Sequence, residues 1–351
     1  MSDSDQTIKS GDASNIIQTN SGNVTVNHGL SIQAAKELFD ILFKENFLIL
    51  QKEAAEIVYE RSQKLINTYL STLQKEAPDE IESSKDPDMQ YIVYKAQKAY
   101  ARSGKKDLQE LLVNLLVSRA KANNEELEKV VLNEALITAS KVTQDQIDAI
   151  TIVFILAYTR KENVTSQSML VTSLNPIIEP FLVTAAKSVA SFQHIEYASC
   201  GTSSIGSRML PDIFLQSYPG LFSKGFSLDQ FRTEINNQSI ESKLLINCLN
   251  DSTKHQERGL DSQVMKDMYD KNSLSVETAK QLENFFNTHR MSADEVKNKL
   301  SELWPIWDKL LDYWTTTNAN CLNLTSVAIA IAIANIKRKT GHTYDLNIWI
   351  K

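Results

Sequence analysis

Between Ser31 and Ala77, apolar residues return every three or four positions: Phe39, Phe43, Phe47, Leu50, Ala54, Ile57, Leu65, Tyr69 and Leu73, with one gap around Arg61. That spacing lines one face of an α-helix. Ser31 suits its N-cap, and Pro78 ends the pattern. Unbroken, such a helix is about 45 residues and roughly 70 Å long, a stalk; a break near Asn46 or Lys52 is the alternative. Ile41, Leu42, Leu48 and Ile49 make the front half apolar on more than one side. That half is therefore buried or sits in a contact between copies, and Phe39 and Phe43 are the contact residues it offers. Lys44, Glu45 and Asn46 inside it argue against a membrane span.

Ahead of the helix, Asn15 to Gly29 reads as two short extended runs, Ile16–Thr19 and Val24–Asn27, around a turn at 20–23 in which Gly22 takes positive φ without steric cost. Val24, Thr25 and Val26 favour extended backbone. A lone hairpin is marginal in water. The amides of Asn15, Gln18, Asn20, Asn23 and Asn27, with the hydroxyls of Thr19 and Thr25, would form ladders between stacked identical strands. The segment is thus read as an assembly element; the alternative is a polar terminus whose hairpin covers an edge. Residues 1–14 are rich in Ser, Asp, Gln and Gly and read as a flexible leader.

The remaining 274 residues or so look like packed helices. Only 10 Gly and 7 Pro in 351 residues argue against a β-sandwich, and a net charge of −6 gives no general basic field for nucleic acid. Three scattered cysteines, Cys200, Cys248 and Cys321, fit reduced thiols, hence a cytoplasmic protein. Asp86-Pro87 starts a helix that Gly104 closes; further helices follow from Asp107, from Asn123 or Asn124, and from Thr143 to Arg160. These make an antiparallel bundle over 78–160. From 161 to 351 the pattern is a less regular α-rich domain: a helical stretch at 168–191 interrupted by Pro176 and Pro180, short helices at 228–235 and 276–289, and a longer one after Ser292 that Pro305 kinks. Val327 to Ala334 alternates Ala and Ile, but Thr325 as cap and Gly341 beyond Lys339 favour a helix over a strand. At about 15 residues it is short for a bilayer and reads as a buried core helix. Leu346–Ile350 reads as a terminal strand. The fold class is mainly α, with a short N-terminal β segment and a short C-terminal strand.

Reactive residue types concentrate in one place, His194, Glu196, Cys200 and the Gly/Ser-rich run to Arg208. A thiol near a histidine can form a nucleophile pair; the plainer account is a buried Cys and a hydrogen-bonded His holding a turn. Gly201 to Gly206 has phosphate-loop glycine spacing, but Ser207-Arg208 stands where Lys and Ser or Thr are required. No zinc signature is complete, and neither a metal nor a cofactor is expected. Asp251, Lys254, His255, Glu257 and Arg258 read as a solvated charged loop, a place where a partner protein would bind.

Five stretches carry a resemblance over nearly the whole chain: Gly22-Asn-Val-Thr-Val-Asn-His-Gly-Leu-Ser31, Lys44-Glu-Asn-Phe47, Gln193-His-Ile-Glu-Tyr197 with Cys200-Gly201, Tyr218 with Gly220-Leu-Phe222, and Leu324-Thr-Ser-Val327 with Ala334-Asn-Ile-Lys-Arg338. By them the sequence resembles a family of bacterial proteins of similar length, recorded mainly under locus-tag names and carrying no known activity. The N-terminal segment is also similar to short Asn/Gly-rich segments that precede effector domains in bacterial immune and signalling proteins, which implies a stress or anti-phage setting. The leading expectation is a non-enzymatic, self-assembling cytoplasmic protein whose partner is itself. The rivals are an enzyme working at His194, Glu196, Cys200 and Arg208, and a membrane-perturbing effector using 327–334 without stable insertion.

Overall fold

A computed structural model describes residues 30–46, 52–122, 126–235 and 240–350. The apolar stripe after Ser31 forms two helices, α1 (Ile32–Asn46) and α2 (Lys52–Glu76), which pack on one another. The Ser31 hydroxyl accepts from Ala34 N at 3.1 Å, as its N-cap reading requires. Folding back lets each apolar face cover the other. Ala35 and Phe39 are fully buried with Leu65, Ile66 and Tyr69, and the Phe39 and Tyr69 rings lie 6.4 Å apart. Contact between Phe39 and Tyr69 rules out one unbroken stalk; residues 47–51, between the two helices, lie outside the described residues. After a 3-10 segment (Pro78–Lys85) comes α3 (Pro87–Ser103), capped by the Asp86 carboxylate and closed by Gly104 at φ +64°.

Helices α4 (Lys106–Lys121), α5 (Glu126–Ala139) and α6 (Gln144–Tyr158) follow. The expected caps at Asn123 or Asn124 lie outside the described residues. Thr143 and Gln146 close a capping box on α6. Next come α7 (Gln167–Leu182), which runs through both Pro176 and Pro180, and α8 (Val189–Tyr197). The three-residue strand β1 (Gly201–Ser203) and α9 (Leu210–Ser217) lead to a lobe made of α10 (Leu228–Ile235), α11 (Glu241–Leu244), β2 (Leu245–Asn247), β3 (His255–Glu257), α12 (Ser262–Lys271) and α13 (Val276–Thr288). Helices α14 (Ala293–Leu303) and α15 (Trp307–Thr316) are separate, because the chain turns at Trp304-Pro305-Ile306 where a kink was expected. Strand β4 (Leu322–Leu324) pairs antiparallel with β1 and opens directly into α16 (Ser326–Thr340).

Helix α16 organises the body. It packs against α4, α5, α6 and α7, burying Ala328, Ile329, Ala330, Ile331, Ala332, Ala334 and Ile336. Ala and Ile alternate because neighbours surround the helix: alanines admit close backbones and isoleucines fill the gaps between them. Burying each isoleucine contributes about 2 kcal/mol. Thr325 caps it and Gly341, at φ +74°, ends it. The last helix thus enters the bundle expected to be complete at 160, and one cluster of buried side chains runs from Ala35 to Ile350. A buried polar knot fixes its register. The fully buried Asp148 carboxylate on α6 accepts from Lys339 Nζ at 2.8 and 2.9 Å, Asn335 Nδ2 at 3.0 Å, Gln144 Nε2 at 2.8 Å and the Thr184 hydroxyl at 2.5 Å. Leu346–Ile350 is not a strand: Asp345 accepts from Asn347 N and turns Leu346–Ile348 into a 3-10 segment.

The lobe has its own core, centred on Phe226, Phe231, Phe285 and Phe286. Its two ends meet. Ser223 and Arg290 form an antiparallel bridge, Lys224 N donates to His289 O at 2.7 Å, and Met291 N donates to Phe222 O at 2.8 Å. Residues 223–290 therefore leave and rejoin the body through a two-stranded neck.

Candidate functional site

The structure brings His194, Glu196, Cys200 and Arg208 into one region and gives each a holding task. His194 Nδ1 lies 3.1 Å from Gln146 Oε1. That oxygen also accepts from Thr143 N, so Nδ1 carries the ring proton. The Glu196 carboxylate accepts from Ser203 N on β1 at 2.7 Å. Arg208 donates to Leu322 O on β4 at 2.7 Å, and its guanidinium carbon sits 5.8 Å from the centroid of the Tyr158 ring. The Cys200 thiol is fully buried, 3.8 Å from Ala198 O, and burial pushes it up to about 11. A buried thiol raised in this way is a poor nucleophile near neutral pH. These side chains fasten α8 to α6 and to β1, and the run after β1 to β4; the geometry pairs the imidazole with an amide.

Among the contact residues named from sequence, Asn15, Gln18, Asn20, Asn23, Val24, Thr25, Val26 and Asn27 lie outside the described residues. Phe39 and Phe43 require a correction. Both are buried inside the protomer, Phe43 with its ring 6.4 Å from that of Tyr94. Folding α1 back on α2 turned that face inward. What stays outside is the far end of the pair: Ala54 to Ile57 and Tyr59 on α2 are exposed, Ile57 by 49%, and Ile41 on α1 by 53%. Lys44 Nζ lies over the Tyr59 ring at 4.7 Å.

The lobe holds a cleft of about 460 Å³ that sequence reading missed, since 251–258 looked like a solvated loop. It lies against the edge of β2, with Leu228 and Ile246 as apolar wall and Ser242, Asn247, His255 and Arg258 as polar wall. Arg258 is pinned by donating to Ser242 O at 2.8 Å and Leu245 O at 3.3 Å. Glu241 also faces the cleft but is held in a two-point pair with Arg232, at 2.8 and 2.9 Å. Two residues along from His255, Glu257 is buried rather than solvated, pointing to the neck. Among the described residues no group of three or more His, Cys, Asp or Glu converges to hold a metal, and no helix is long and apolar enough to cross a membrane.

Fold and sites together define a mainly helical protein, a helical body around one core with a smaller lobe of helices and one two-stranded ribbon around its own. A family model described as ":-like" matches residues 29–350, most of the chain, and the chain belongs to that family. The match begins after Asn15–Asn27, so it does not include that segment. No curated protein and no solved structure matches the chain.

Proposed function

We propose that this chain is a self-assembling bacterial cytoplasmic protein. Its copies associate through the far end of the α1–α2 pair and through residues 15–29, and its helical body with the 223–290 lobe is the recognition or effector part. The observation that carries the reading is the uncovered start of α2, where Ala54 and Ile57 continue the stripe that Leu65 and Tyr69 bury further along, with Ala55 and Tyr59 exposed beside them. Two helical turns standing outside a body are marginal in water by themselves, and a second copy offering the same surface would cover both.

Residues 15–29 join the body at the other end of α1, where Leu30 N donates to the Glu82 carboxylate. Separate contacts at opposite ends allow copies to propagate instead of closing as a pair. A stress or anti-phage role goes with this reading, on the likeness of 15–29 to segments that precede effector domains.

Light scattering tests it on three proteins: the full chain, a chain starting at Leu30, and the full chain with Ile57→Lys. The full chain should run as a defined oligomer or filament, and each alteration should lower the mass. A full chain that stays monomeric at every concentration refutes the proposal.

A further inference from the structure

The cleft of the lobe bears on ligand recognition rather than assembly. Two of its polar lining residues carry nitrogen donors three positions apart on one short ribbon, His255 on β3 and Arg258 just beyond it. Arg258 spends one terminal nitrogen on Ser242 O and Leu245 O. That fixes the guanidinium plane and leaves its other N–H groups for something else. The Asn247 amide and the Ser242 hydroxyl add neutral donors, and both residues are exposed on the cleft. Glu241 is the acid that would repel an anion there, and the two-point pair with Arg232 neutralises it. Leu228, Leu245 and Ile246 supply an apolar side, and the volume suits a small molecule.

We propose that this cleft binds a small organic anion, its carboxylate or phosphate group held by Arg258 and His255 and its apolar part lying against Leu228 and Ile246. The pinned guanidinium is what separates the site from a solvated surface charge. A preorganised fork loses less freedom on binding, so an anion gains more from it than from a free side chain.

Calorimetric titration of the full chain at constant ionic strength tests this with phenyl phosphate, benzoate and benzyl alcohol, three probes that share a ring and differ in the charged group. One of the two anions should bind saturably and at least tenfold more tightly than benzyl alcohol; which one it is separates a phosphate site from a carboxylate site. His255→Gln and Arg258→Lys should each weaken that anion several-fold, with the melting curve checked for both. Asn247→Ala, at an exposed position, is the third variant and should weaken it less. No saturable binding of either anion, equal binding of the alcohol, or unchanged affinity in folded His255→Gln and Arg258→Lys would overturn the assignment.

Discussion

Glu257 Oε1 lies 4.0 Å from Arg290 Nε across the neck that joins the lobe to the body, and neither atom has a hydrogen-bond partner. Glu257 is 1% exposed. Burial pushes its carboxyl up to about 7, against the pull of its own backbone N–H, Arg290 and Ser223. Burial likewise lowers Arg290, while Glu257, Tyr269 and Glu283 pull it back. A carboxyl raised in the folded state holds its proton there more tightly than in the unfolded chain. Its contribution to stability is complete below the ordinary carboxylate range and is lost as pH rises through 7. Glu257→Gln should therefore gain on the native protein between pH 5.5 and pH 8, by about 1–3 kcal/mol. Paired urea denaturation curves at the two values measure this, and a gap that does not change with pH contradicts it.

Asp148 is the opposite case, a buried carboxylate with every neighbour in place. Removing it as Asp148→Ala takes away the acceptor shared by the buried Asn335 amide and the partly buried Lys339 ammonium. The loss should be about 3–5 kcal/mol. Lys339→Met should cost less, since Asn335, Gln144 and Thr184 still serve the carboxylate. Denaturant unfolding of the two variants sets the order; a larger loss at Lys339 would contradict it.

The three thiols should separate by reactivity. Cys200 and Cys248 are buried and Cys321 is partly exposed. In native protein, alkylation followed by mass spectrometry should mark Cys321 first. Cys200 should react only on the timescale of opening or unfolding, because reagent and base must both reach a buried sulfur held up to about 11. Fast labelling of Cys200 would restore it as a nucleophile.

Gly220 marks where lobe and body touch. A Cβ there would stand 2.7 Å from Gly259 O and from the Leu260 Cα, both backbone atoms. Gly220→Ala should cost about 1–3 kcal/mol, since backbone cannot step aside as a side-chain tip can. Gly206→Ala, with nothing within 4 Å of the added carbon, is the matched control and should melt with the native protein.

Much of the secondary structure is legible in the sequence because its determinants are local. Asp86-Pro87 and Gly104 bound α3, Thr143 starts α6, Ser292 starts α14, and Thr325 with Gly341 bounds α16; each is a cap acting within one helical turn. The Ala/Ile run at 327–334 likewise announces a buried helix by having no polar face. The candidate sites are less legible. The grouping of His194, Glu196, Cys200 and Arg208 follows from their nearness in sequence, but the task of Arg208 depends on β4, more than a hundred residues later, and that of His194 on Gln146 of α6, well before it. In 251–258, charge suggests solvent throughout, yet the Glu257 carboxyl is sealed inside the neck.

By itself, then, the sequence determined a mainly helical chain, where most of its helices begin and end, and which faces are apolar, because caps and periodicity act over three or four residues. Tertiary structure alone decided that α1 folds back on α2, that α16 completes the core of a bundle begun some two hundred residues earlier, and that Ser223 and Arg290 close a lobe with a cleft. Those outcomes rest on which apolar faces find each other and which buried charges find partners, and both are relations between residues far apart along the chain.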